Sequence, residues 1–166
     1  MELLLTRRSI RKYTDEKVSD ELVKQVVKAA MYAPSAGNQQ PWHFVVLRDK
    51  IQFKQITNFH PYSQMLLEAD VAVLICGDSS LETKHGYWPI DCAAATQNML
   101  LAVHGLGLGA VWLGIYPRHE RQTGMSDLLN LPETVIPFSL VVIGYAAEQK
   151  PIPERFKEER IHFNKW

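Results

Sequence analysis

The residues best suited to chemistry form a short run near the start of the chain, Arg7-Arg8-Ser9-Ile10-Arg11, with three guanidinium groups and a hydroxyl around one apolar side chain. A phosphate monoester carries nearly two negative charges and needs several donors at once. Each charge-assisted hydrogen bond to it contributes about 1.5–3 kcal/mol. The run therefore reads as a phosphate socket. Two other readings stay open on these five residues alone, a solvated basic stretch and a short nucleic-acid arm. The equal numbers of basic and acidic residues, 18 of each, and the lack of interleaved aromatics weigh against the arm.

A second suggestive segment, Pro34-Ser35-Ala36-Gly37-Asn38-Gln39-Gln40-Pro41, is uncharged and rich in side-chain amides and permissive backbone. Other chemistries find no support in residue order. No GxGxxG follows a strand and no GxxxxGK[ST] occurs, which argues against a Rossmann dinucleotide site or a P-loop. Ser9, Ser35 and Ser126 lack a GxSxG elbow. The six histidines form no HxxxH or HExxH pair, and Cys76 and Cys92 sit in apolar runs as two buried thiols, so no protein-built metal site is expected. Asp91, inside an apolar helix, reads as a hydrogen-bonded interior carboxylate rather than a catalytic acid. No side chain is singled out as catalytic.

The elements that must position these residues are legible from period and punctuation. Ser19 caps a helix whose first turn carries Asp20 and Glu21, with Leu22, Val26, Ala29 and Ala30 at helical spacing and an end near Pro34. Phe44–Leu47 reads as a strand, Asp49 as a cap and Ile51–Ile56 as a short helix. Val71–Cys76 is apolar at every position, which demands a central strand covered on both faces. Pro89 opens a helix, Ile90–Leu106, apolar almost all round with polar seams at Asp91/Asn98 and Gln97/His104. Burial on every side of such a helix suggests a second subunit. Gly105, Gly107 and Gly109 read as a helix stop and close packing. Ala110–Leu113 and Phe138–Ile143 read as strands ending at Gly114 and Gly144, with a short helix around Asp127-Leu128-Leu129.

With 166 residues and 46% apolar composition, one domain spanning 1–166 is expected, able to bury roughly 70% of the surface its unfolded chain exposes. The opening apolar run is too short for a signal peptide and no stretch reaches transmembrane length, so a cytoplasmic protein without nucleic-acid or membrane partners is expected. The segment 150–166 differs from the rest. Pro151 and Pro153 keep its start extended, and Ile152, Phe156, Ile161, Phe163 and Trp166 are spread among charges. It lies either on its own subunit or across a partner, and the apolar helix favours the partner.

Four segments in order carry a resemblance: Arg7-Arg8-Ser9-Ile10-Arg11-Lys12-Tyr13; Ala33 through Phe44; Gly107-Leu108-Gly109-Ala110-Val111-Trp112; and the closing Arg160 through Trp166. Together they resemble the FMN-dependent nitroreductase family nearly end to end. The resemblance implies an α+β fold, a mixed central β-sheet flanked by helices, and an intertwined homodimer with two FMN sites at the interface and the tail reaching the partner. By position, Arg7, Arg8, Ser9 and Arg11 would hold the phosphate, the ribityl chain and the pyrimidine end of FMN. Pro34, Ser35, Ala36 and Asn38 would line the ring from the neighbouring subunit, and the backbone of Leu113 and Gly114 would face flavin N5. Arg155, or alternatively Lys157, would complete the phosphate site.

The implied activity passes a hydride from NADH or NADPH to FMN and on to a nitroaromatic, quinone or similar small acceptor. The alternatives are an FMN store or redox sensor without turnover, and a specialised flavin enzyme for reductive dehalogenation or flavin-consuming chemistry. The stretch His60–Met65 matches no charged or amide position of larger members, and the chain has no room for their extra helices, so substrate preference does not carry over.

Overall fold

Eight consecutive buried residues, Val71–Asp78 (β2), form the centre of the molecule in the computed structural model, which describes residues 1–166. The other elements are α1 (Glu2–Thr6), α2 (Asp20–Met31), β1 (Trp42–Leu47), α3 (Lys50–Phe59), α4 (Trp88–Gly105), β3 (Gly109–Gly114), α5 (His119–Leu129) and β4 (Val135–Gly144). The strands form one sheet in the order β1-β2-β4-β3. Side chains alternate across a strand. Val71, Val73 and Ile75 accordingly pack with α2 and α4, while Ala72, Leu74 and Cys76 pack with Phe53 and Ile56 of α3 and Met125 of α5. A run without a polar position is thus explained by two covered faces, and Cys76 and Cys92 are free and buried as expected.

The architecture is α+β, and the four strands pair antiparallel throughout. The parallel component of the expected mixed sheet is confined to one bridge, Ser9 to Ala110, on the outer edge of β3. Several element ends move outward from their expected positions. β1 begins at Trp42, α3 runs on to Phe59, and α5 begins at His119 rather than near Asp127. Pro137 lies inside β4 rather than before it. A register shift opposite Ile75 and Cys76 accommodates the missing N–H there, the usual way a central strand tolerates proline. The caps at Ser19 and Asp49 form as expected, accepting from the N–H of Leu22 and of Ile51. No helix is long and apolar enough to cross a membrane.

α4 buries Cys92, Ala95, Met99 and Val103 but leaves Ile90 exposed, so its expected burial on all sides is incomplete within one chain. Leu3, Leu4, Leu5, Met31 and Tyr32 are exposed as well. The tail settles on neither its own sheet nor its own helices. Every residue from 151 to 166 is exposed, Trp166 completely.

The segment between α1 and α2 crosses the open end of the sheet. It is held by Gly109 and Gly144, direct partners across β3 and β4. A Cβ on Gly109 would stand 2.8 Å from Ile10 Cγ2, and one on Gly144 would stand 2.8 Å from Tyr13 Cδ1. The paired glycines therefore leave a patch on which Ile10 and Tyr13 lie directly on the backbone. The Tyr13 hydroxyl donates to the Ile10 carbonyl at 2.6 Å, Thr14 N–H to Tyr145 O, and Ala147 N–H to Lys12 O. At the far end of the crossing, buried Asp70 accepts from the Val18 N–H at 3.0 Å and pairs with Lys17 Nζ at 3.0 Å and with Arg48.

Burial pushes the Asp70 carboxyl upward, but Lys17, the Val18 N–H and the Arg48 charge outweigh it and hold the group below the usual carboxylate range. A depressed folded-state pKa contributes stability above the unfolded value and loses it as pH falls through the folded one. Asp70→Asn is expected to lower the unfolding free energy at pH 7 by about 1–3 kcal/mol. That difference should shrink as pH falls below roughly 4, where the unfolded chain's carboxyl takes up a proton first and the native one follows at lower pH. Urea melts of both proteins at pH 7 and pH 3 measure it.

Candidate functional site

The arginine run sits where the crossing segment meets the edge of β3. Ile10 N–H donates to Ala110 O at 2.9 Å, and Lys150 Nζ donates to Ser9 O at 2.8 Å. A cleft of about 410 Å³ opens there, lined by Arg7, Arg8, Leu100, His104, Lys150 and Ile152 among others. The half-buried Arg7 guanidinium is pushed below its ordinary pKa, first by burial and then by the charges of Arg155 and Arg8. Three guanidinium groups thus converge, and none of them has a carboxylate partner. Like charges gathered and partly desolvated without an ion pair favour an anion among them.

The members of the run do different things. Arg8 is engaged by the chain's own backbone, with Nε on Pro151 O at 3.0 Å, Nη2 on Leu5 O at 2.9 Å and Nη1 on Arg7 O. It ties the start of the chain to the start of the tail and adds charge to the cleft rather than a free fork. Arg11 is exposed, and its backbone N–H donates to Glu148. That bond and the Lys150 ammonium, against some burial, hold Glu148 below the usual carboxylate range. Of the two tail candidates, Arg155 stands beside Arg7, while Lys157 pairs with Glu159 at 3.9 Å. Lys150, Glu148 and the Thr6–His104 pair at 2.8 Å were not legible as site residues. They come from three distant stretches, and only the chain's crossing brings them to one cleft.

Four residues along β3 lies Gly114, about 13 Å away at strand rise. Ala110 turns its carbonyl to the outer edge, and an antiparallel ladder alternates. Trp112 and Gly114 therefore also face outward, while the backbone groups of Leu113 are engaged with β4. Of the expected pair, Gly114 supplies the outward N–H and Leu113 the buried side chain beneath it. No atom lies within 4 Å of where a Gly114 Cβ would stand. The Gly114 carbonyl accepts from Arg121 Nη1 at 2.7 Å and from His60 Nε2 at 3.1 Å. A carbonyl can only accept, so His60 carries its proton on Nε2, and its buried Nδ1 has no partner. Burial and then Arg121 push this imidazole below its ordinary pKa, consistent with a neutral ring. Neither residue was expected. His60 lay in the stretch without a match, and Arg121 had no sequence context.

The loop carrying Pro34, Ser35, Ala36 and Asn38 is shaped by Asp91. This buried carboxylate accepts from Ala36 N–H at 2.9 Å and from Gln39 Nε2 at 2.7 Å, and Gln39 Oε1 in turn accepts from the N–H groups of Thr83 and Lys84. Asp91 is thus a structural acceptor, as expected. Gly37 adopts positive φ freely, while Asn38 and Gln40 adopt it as non-glycine residues in a loop that the Asp91 anchor holds. Asp91 and His104 are 13 residues apart on α4, about 20 Å along its axis. No hydrogen bond or ion pair joins the loop to Gly114 or to the arginine cleft. The single chain presents two separated parts, an anion-ended edge on β3 and an amide loop at the other end of α4.

These features define an α+β protein with an arginine-lined cleft at one end of a sheet edge and an outward glycine N–H at the other. Residues 4–68 and 54–145 match the model of the nitroreductase family. A protein of Methanothermobacter thermautotrophicus, provisionally named an NADH dehydrogenase/NAD(P)H nitroreductase, is 48% identical over all of this chain and 87% of its own length. A crystal structure of a provisionally named NADH oxidase from Clostridium acetobutylicum superposes with a TM-score of 0.95 at 39% identity, over 99% of each chain. A provisionally named nitroreductase from Desulfovibrio desulfuricans, solved in complex with FMN, gives a TM-score of 0.86 at 32% identity, over 99% of this chain and 96% of that one. The chain belongs to the nitroreductase family.

Asp91→Ala is expected to release the loop. Amide exchange at Ala36 should quicken by about tenfold or more, the equivalent of losing one hydrogen bond to a charged acceptor, while amides of β2 stay protected. Hydrogen-exchange mass spectrometry reads both.

Proposed function

We propose that the protein is an NAD(P)H-dependent FMN oxidoreductase acting on small acceptors. The observation that carries this reading is the guanidinium cluster of Arg7, Arg8 and Arg155, free of carboxylate partners, beside Ala110, with the outward Gly114 N–H four residues, about 13 Å, further along the same strand edge. An elongated ligand with a phosphate at one end and a hydrogen-bonding planar ring at the other fits that arrangement, and FMN has this form. FMN, when bound, takes a hydride from NADH or NADPH and passes electrons to a second substrate. Arg7 and Arg155 hold the phosphate directly, Arg8 contributes field and rigidity, and Ser9 faces the ribityl chain. Arg11, exposed and unpaired, lies toward the pyrimidine end, where a guanidinium favours negative charge. The Gly114 N–H orients the reactive ring edge, with its peptide fixed by Arg121 and His60. Protons come from solvent in a site this open, so no general acid is assigned.

The site is completed by a second copy of the chain. Pro34, Ser35, Ala36 and Asn38 cover the ring from the partner; within one chain no hydrogen bond or ion pair joins their loop to Gly114. The exposed apolar residues of α1 and the tail then find cover, with the tail lying across the partner. The physiological acceptor is a nitroaromatic, a quinone or a related small molecule, and the protein works in the cytoplasm.

The deciding experiment is anaerobic addition of NADH or NADPH to the purified yellow protein. Bleaching within seconds supports the reductase, and an unchanged spectrum supports FMN storage or sensing. A colourless protein that takes up no FMN overturns the whole reading. Arg7→Ala and Arg155→Ala should each weaken FMN binding by about tenfold or more, read by equilibrium dialysis. A chain ending before Pro153 should elute from a sizing column as a monomer or a dissociating dimer, and an intact dimer would count against the clamping tail.

A further inference from the structure

A second concavity, of about 400 Å³, lies beside the Gly114 end of β3 and is lined by Pro61, Tyr62, Arg118, His119, Glu120 and Arg121. It does not belong to the arginine cleft, which lies at the Ala110 end. Its inner wall is Arg121, fixed by its bond to the Gly114 carbonyl and lying over the Tyr62 ring, 5.6 Å from the centroid. One guanidinium nitrogen is thus committed to the strand end, and Nε and Nη2 make no hydrogen bond within the chain. Arg118 forms no side-chain hydrogen bond or ion pair. Glu120, the one acid present, pairs with neither arginine. Tyr62 is 70% exposed, although aromatic rings are normally covered. The space above Gly114 is open.

We infer that Tyr62, Arg118 and Arg121 form the acceptor subsite, and that it selects planar aromatic acceptors bearing an anionic group such as a carboxylate. An aromatic ring stacks on Tyr62 and the Arg121 guanidinium plane, and the anion is held by Arg118 and by the free donors of Arg121. The bond from Arg121 to Gly114 sets the distance between this subsite and the strand end, so a molecule seated on Arg121 is held next to the reactive ring edge. A concavity of this size suits one or two rings. The inference rests on the reading above that Gly114 faces the flavin ring.

The test uses the purified protein as isolated, with its flavin content measured first. Calorimetry with benzoate and with benzyl alcohol compares a charged ring with a neutral one without turnover. Steady-state kinetics with NADH compares 4-nitrobenzoate with 4-nitrobenzyl alcohol. Benzoate is expected to bind about tenfold or more tightly than benzyl alcohol, and Arg118→Ala should remove most of that preference. The ratio of kcat/KM for the two nitro compounds should fall by a similar factor. Equal benzoate affinity in the wild type and Arg118→Ala overturns the subsite, as does an unchanged kcat/KM ratio. A raised KM for NADH with no change in the ratio also overturns it, assigning the cations to the dinucleotide. A protein without flavin that nonetheless binds benzoate through Arg118 upholds the subsite while sinking the flavin reading, so the two fail separately.

Discussion

The arrangement around Gly109 and Gly144 governs the rest of the site. Two glycines paired across adjacent strands remove both side chains from one patch of sheet, and Ile10 and Tyr13 settle directly on the exposed backbone. Any Cβ at either position would lift the crossing segment. That segment carries the whole arginine run, so its height above the sheet sets the width of the cleft. It also takes up the outer edge of β3 at Ala110, whose carbonyl the β3–β4 ladder turns outward and Ile10 N–H binds. The outward Gly114 N–H is a consequence of the same register. The glycine packing thus positions the arginine run, and the β3–β4 register turns Gly114 outward on the same edge.

Around that constraint the charges are divided by role. Where a carboxylate is paired in this fold it does structural work: Asp70 locks the end of the crossing, Asp91 shapes the amide loop, and Glu148 steadies the backbone at Arg11. Arg7 lines the cleft at the Ala110 end of β3 without a carboxylate, with Arg155 beside it, and Arg118 and Arg121 line the concavity at the Gly114 end without one. Removing countercharge from one set while supplying it to the other gives a neutral chain with locally electropositive grooves.

The same logic explains why the single chain looks unfinished. Edge strands and exposed apolar segments are normally covered. Here the outer edge of β3, the apolar residues of α1 and the entire tail are open. A second copy that covers these surfaces, as proposed above, would bring its own amide loop toward the edge of β3.

Residue order alone determined the local elements, because caps, glycines and hydrophobic period are local signals. Ser19, Asp49 and the unbroken apolar run of β2 each produced the expected structure. It also marked the arginine run as a candidate phosphate socket, while leaving a solvated basic stretch and a nucleic-acid arm open on those five residues. What it did not carry was the set of contacts made between distant stretches. The placement of Arg155 rather than Lys157 beside Arg7, the engagement of Arg8 by backbone carbonyls, and the hold of His60 and Arg121 on Gly114 all depend on chain crossings and strand register. Those are decided by packing over long sequence separations, and no periodicity or spacing within a segment encodes them.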